Sequence, residues 1–157
     1  MRDYIIKKVK QLTKKYNTTS PTEIADALDI VVIQKKLGTV WGMYKYIRKN
    51  RVIFINEDLS EEQQNFVLAH ELGHAILHIK SSCFCYGLNV NNYKKEYEAN
   101  FFATQLLINN YDEKILKNLS ENELAAYFKV PIGLIKLKQS YLKQKQKKPL
   151  NHNILMA

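Results

Sequence analysis

The segment His70-Glu71-Leu72-Gly73-His74 carries the residue types best suited to chemistry. It falls well inside a run of helical periodicity that begins after Ser60. On a helix, residues four apart are neighbours on one face, separated by about 6 Å of rise. Two imidazoles at that spacing can close on one zinc ion at about 2.0–2.1 Å. Glu71 projects about a quarter-turn to one side, where it can reach a water beside the metal without becoming a ligand. Zinc hydrolysis needs that division of labour: a metal to acidify water, and a carboxylate to take and deliver its proton. The inert alternative is two histidines on a polar helix face. The apolar Phe66, Val67 and Leu68 just before the motif argue against it.

A catalytic zinc wants a third protein ligand and an open position. His78, four residues after His74, is too far: three histidines from His70 to His78 span about 12 Å of rise. His78 is expected to be a helix-face residue or a support to the ligands. The longer metzincin pattern needs glycine at position 77 and histidine at position 80, and the chain has Leu77 and Lys80. The next acids are Glu96 and Glu98, on a following helical stretch. They point about 200° apart, so only one can ligate. Glu96 shares a face with Ala99, Asn100 and Ala103, and small alanines let two helices approach closely. That favours Glu96 as the third ligand. Asn100, one turn on, could hydrogen-bond a metal-binding histidine.

These residues need elements to hold them. Ile5, Val9, Leu12 and Tyr16 recur at helical spacing, so 3–16 reads as an amphipathic helix. Ser20-Pro21-Thr22-Glu23, Ser60-Glu61-Glu62-Gln63 and Ser120-Glu121-Asn122-Glu123 are capping-box patterns that each open a helix. The second of these helices runs to about Ile79 and carries the motif. Ile30–Ile33, Trp41–Arg48 and Arg51–Asn56 read as strands, with a turn at Lys49-Asn50. Residues 80–93 read as a polar loop, Lys94 to about Ile108 as a helix, and Val130-Pro131 as the start of a last helix. The expected fold is α+β. A small β-sheet and the H-E-x-x-H helix pack on a second, ligand-bearing helix, followed by a helical, helix-turn-helix-like C-terminal region. Residues 1–110 form the catalytic domain, 111–148 the helical region packed on it, and 149–157 a frayed tail.

H-E-L-G-H-A-I-L-H followed by E-Y-E-A-N-F-F-A-T-Q-L-L resembles the ImmA/IrrE family of zinc metallopeptidases. The family pattern, H-E-x-x-H and then E-x-x-A-(N or D)-x-F-A, maps onto His70, Glu71 and His74, then Glu96, Ala99, Asn100, Phe102 and Ala103. The lead-in S-P-T-E-I-A-D-A-L-D-I-V-V, then G-M-Y and V-I-F-I-N-E-D-L-S, is similar to the family's helix, strands and Asn before the metal helix. The resemblance covers about residues 18–108. Ile108-Asn109 departs from the Met-Pro of many members. It implies zinc bound by His70, His74 and Glu96, with Glu71 as the general base. It also implies a narrow substrate: a helix-turn-helix repressor of a phage or integrative element, whose cleavage would relieve repression. Two other classes stay open: a non-catalytic regulator that binds DNA or the repressor, and one half of a toxin–antitoxin-type module.

E-L-A-A-Y-F-K-V-P-I-G-L-I resembles a helix-turn-helix core. A DNA reader needs base-reaching side chains early in its second helix, and Pro131, Ile132, Gly133 and Leu134 are poor ones. Direct DNA binding is therefore not favoured, and the segment reads as a packing unit. Of the net charge of +9, residues 1–19 hold +5 and residues 129–157 hold +7, while the middle is at −3. Basic ends suit an acidic partner or solubility. Cys83 and Cys85 stand one residue apart with no second pair, which reads as free loop thiols rather than a zinc site. No signal-peptide core or membrane span is visible, so the expected location is cytoplasmic.

Overall fold

The computed structural model describes residues 1–79, 84–86, 93–112, 116 and 118–147; for 84–86 and Lys147 only the backbone is described. The α+β expectation holds. Helices α1 (Arg2–Tyr16) and α2 (Pro21–Ala27) lead into β1 (Val31–Lys35), β2 (Gly42–Ile47) and β3 (Asn50–Asn56). Then follow α3 (Glu61–Leu77), β4 (Phe84–Tyr86), α4 (Tyr93–Leu107), α5 (Glu121–Phe128) and α6 (Ile132–Lys147). Cys83 and the tail 149–157 lie outside the described residues, as does the Cys85 side chain.

The strands order as β1-β3-β2-β4. β1 runs parallel to β3, while β2 is antiparallel to both β3 and β4. β1 is an edge strand, which is why its β-branched Val31 and Ile33 are exposed rather than buried. On the inner face of the central strands, Gly42, Tyr44, Ile53 and Ile55 are buried beneath α3.

Two expectations need correction. The hairpin turn is Arg48-Lys49, not Lys49-Asn50: Ile47 pairs with Asn50, and both turn residues have positive φ (48° and 68°). A two-residue hairpin loop demands that conformation, and here it is met without glycine. The stretch 80–93 is not all loop: Phe84–Tyr86 is a strand paired with Gly42–Tyr44, and α4 already begins at Tyr93.

Ser60 and Ser120 cap α3 and α5 as full capping boxes, each accepting from the backbone N–H three residues on while that residue's side chain returns a bond. Ser20 accepts from the Glu23 N–H at the start of α2, with Pro21 in the first turn. Each such cap is worth about 1 kcal/mol. Helix α3 ends at Leu77 and is buried continuously from Phe66 to Ile76, so it is the centre of the molecule rather than a surface helix. Sheet, α2 and α4 all pack on it.

Helix α6 packs on α4 and carries α5 through the left-handed Lys129. Leu124, Val130, Leu134 and Ile135 join the common core, whereas Pro131, Ile132 and Gly133 are exposed. Arg2 fastens α1 to this side. Its Nε donates to the Tyr97 hydroxyl at 2.7 Å, another guanidinium nitrogen donates to Gln144 Oε1, and the plane lies over the Tyr97 and Phe101 rings. Among the described residues, no helix is long and apolar enough to cross a membrane.

Candidate metal centre

Helix α3 presents His70, Glu71 and His74, all fully buried, and α4 presents Glu96 at their side. Two glycines make this juxtaposition possible. A Cβ at Gly73 would stand 3.1 Å from Ala99 Cα and 3.2 Å from Ala99 O, so Gly73 and Ala99 set how closely α3 and α4 approach. A Cβ at Gly42 would stand 2.3 Å from Val67 Cγ1 and 3.3 Å from Glu71 Cγ. Strand β2 therefore lies directly against the aliphatic part of Glu71. The alanine face of α4 is legible in the sequence, whereas the role of either glycine is not. A glycine inside a helical pattern was the available signal for Gly73.

Asn56, at the end of β3, is buried and holds the loop before β2. Its Nδ2 donates to Gly38 O (3.0 Å) and Val40 O (3.1 Å), and its Oδ1 accepts from the Asp58 N–H (3.2 Å). The Tyr44 hydroxyl donates to Ile79 O at 2.7 Å and ties β2 to the chain just past α3. Both contacts fix the strand that faces Glu71.

Glu96 lies 3.3 Å from the Nε2 of both His70 and His74, and those two nitrogens are 3.1 Å apart. The three ligand-type atoms all fall within 4.8 Å of one another. Asn100 Oδ1 is 3.0 Å from His70 Nδ1. If the Nδ1–H donates to it, His70 turns the lone pair of Nε2 toward the cluster. Burial lowers the His74 pKa to about 4 against the opposing pull of Glu96, so His74 is neutral at pH 7. Burial would raise Glu96, but the two imidazoles beside it outweigh burial and hold the carboxyl at about 2. At pH 7 the cluster is thus a carboxylate facing two imidazole nitrogens, a donor set that suits a divalent cation of borderline softness.

His78 and Glu98 stand apart from this set. His78 Nε2 lies 3.1 Å from Glu98 Oε2, at the end of α3. The two side chains that competed in the sequence for the third ligand position face each other one turn away from the cluster.

A family model described as the IrrE N-terminal-like domain, peptidase M78, matches residues 25–140. The chain belongs to this family. Among similar members of the ImmA/IrrE-type metallopeptidases is Metallopeptidase ImmA of Bacillus subtilis (strain 168), 31% identical over 157 residues, covering 94% of this chain and 90% of that one. "Uncharacterized immunity region protein 2" of Bacillus phage phi105 is 37% identical over 135 residues, covering 83% of this chain and 85% of that one. The ImmA/IrrE match spans α3, α4 and most of α6, so the cluster and the helices around it lie within the family's own domain.

Proposed function

We propose that this family member is a zinc-dependent endopeptidase of the gluzincin type, with His70, His74 and Glu96 as zinc ligands and Glu71 as general base. The observation that carries the reading is the convergence of one partly exposed carboxylate and two buried imidazole nitrogens from two helices on one point. When bound there, zinc would supply a Lewis acid able to acidify water and polarise a peptide carbonyl. Glu71, one residue from His70 and buried with it, takes the proton of the attacking water and passes it to the leaving amine. Asn100 orients His70 through Nδ1 and so fixes which nitrogen is offered to the metal. On this reading residues 1–110 are the catalytic domain and 111–148 a helical region, whose helix α6 packs on α4.

The substrate we assign is a helix-turn-helix repressor of a phage or integrative element, cut to relieve repression. Support comes from the names of the relatives, one a metallopeptidase and one a phage immunity-region protein. The basic ends of the chain, +5 and +7, would aid capture of an acidic partner.

The test is co-expression with a candidate helix-turn-helix repressor, following repressor length. Wild type should shorten the repressor, and Glu71→Gln should cut at least ~10²-fold more slowly while staying folded. Equal cutting by both proteins removes Glu71 from the reaction. An uncut repressor with metal-loaded wild type removes the substrate assignment.

A further inference from the structure

Helices α1, α4 and α6 line an open cavity of about 230 Å³. It opens on the side of α4 away from the metal ligands: Gln105 follows Glu96 by nine positions, about half a turn round the helix. Its polar lining is Lys10 and Thr13 from α1, Gln105 and Asn109 from α4 and the residues just after it, and Lys138, Tyr141 and Lys145 from α6. These side chains bring three ammonium groups, two hydroxyls and two amides, and no carboxylate.

Lys138 is the unusual member. It is only 7% exposed, and its Nζ donates to Gln105 Oε1 at 3.1 Å. No carboxylate among the described residues forms an ion pair with it. Burial and then the charge of Lys10 lower its pKa to about 8, which still leaves it a cation at pH 7. Gln105, whose oxygen is taken by Lys138, keeps a buried amide nitrogen with no acceptor. A buried ammonium without a counter-ion and a buried donor without an acceptor are each costly. One anion entering the cavity would answer both.

We propose that this cavity is a phosphate site, binding inorganic phosphate or the phosphate group of a small ester. Three cations around one space suit a group that carries about −1.5 to −2 charge at pH 7, whereas a carboxylate brings one charge. Lysine serves phosphate as a point charge, and the two amides supply directional donors. The volume equals that of roughly seven or eight waters, more than the five heavy atoms of phosphate fill, which leaves room for a short ester. Occupancy would tie α1 and α6 to the helix that carries Glu96.

The experiment is titration of the full-length protein with sodium phosphate at about pH 7 and constant ionic strength held by chloride, read by calorimetry and by the unfolding temperature. Expected is a saturable single site whose Kd rises at least ten-fold in Lys138→Met and in Lys10→Gln. Lys129→Gln, at a lysine paired with Glu62 elsewhere on the surface, should leave Kd unchanged. Tighter binding of glycerol phosphate than of phosphate identifies an ester as the ligand; equal or weaker binding identifies the free ion. Lys10 is exposed on α1, so its variant keeps the fold and decides the matter if Lys138→Met does not express. Stabilisation that never saturates, or a Kd unchanged in Lys10→Gln, overturns the proposal.

Discussion

Gly42→Ala is the sharpest test of how the sheet positions Glu71. The added Cβ would sit 2.3 Å from Val67 Cγ1, against about 3.5 Å for carbon atoms in contact, so more than 1 Å must be found. Val67 cannot swing away cheaply. It is fully buried, and a β-branched side chain in a helix has one strongly preferred rotamer. The Phe54 carbonyl at 3.3 Å blocks retreat on the strand side. Helix α3 and β2 must therefore separate, at an overpacking cost of about 1–3 kcal/mol. For a chain of this size that lowers the unfolding temperature by about 2–4 °C per kcal/mol. Glu71, whose Cγ lies 3.3 Å from the same Cβ, moves with the helix, so cleavage should fall more steeply than stability. The assay is a double-mutant cycle with Val67→Ala, in urea unfolding and in cleavage rate. Removing Cγ1 relieves the clash, so the pair should be at least ~1 kcal/mol less destabilised than the two single variants added together. Additive effects, or a Gly42→Ala protein of wild-type stability and rate, would refute the packing argument.

Asn100→Ala should keep the fold and weaken metal affinity about 10–100-fold, measured by competition with a chromogenic chelator, because His70 loses the acceptor that orients its ring. Gly73→Leu should cost metal as well as stability, since its side chain meets the backbone of α4 at Ala99; far-UV circular dichroism with elemental analysis separates the two losses. Lys138 makes stability depend on alkaline pH. Its folded pKa, about 8, lies below the ordinary 10.5, so the unfolded chain binds more protons between those values and stability rises with pH across that window. The gain is at most about 3 kcal/mol, and urea unfolding of wild type against Lys138→Met should show it in wild type alone.

Much of this was legible in the sequence because it is local. A serine with Glu or Gln three residues on marks a helix start through bonds within one turn, and Ser60 and Ser120 both form them in full. The spacing of His70 and His74 places two imidazoles on one face by helix geometry alone, and the alanine face of α4 predicted that Glu96, not Glu98, would join them. What escaped depends on partners distant in the chain. Phe84–Tyr86 is strand only because Gly42–Tyr44 lies beside it. The parallel pairing of β1 with β3 across the intervening β2 leaves no mark in either segment. Arg48 and Lys49 adopt left-handed conformations that residue type does not announce, because pairing on both sides imposes them. Gly42 gave no sign of its contact with Val67, since strand periodicity does not say which helix covers it.

Metal content, measured on three proteins purified without added metal, tests the His70, His74 and Glu96 centre most directly. Wild type and Glu98→Gln should each carry one zinc per chain, because Glu98 faces His78 rather than the cluster. Glu96→Gln, which loses the carboxylate placed 3.3 Å from both imidazole nitrogens, should carry little or none. Stoichiometric zinc in Glu96→Gln together with its loss from Glu98→Gln, or wild-type protein that binds no zinc when it is supplied, would contradict the assignment of this centre.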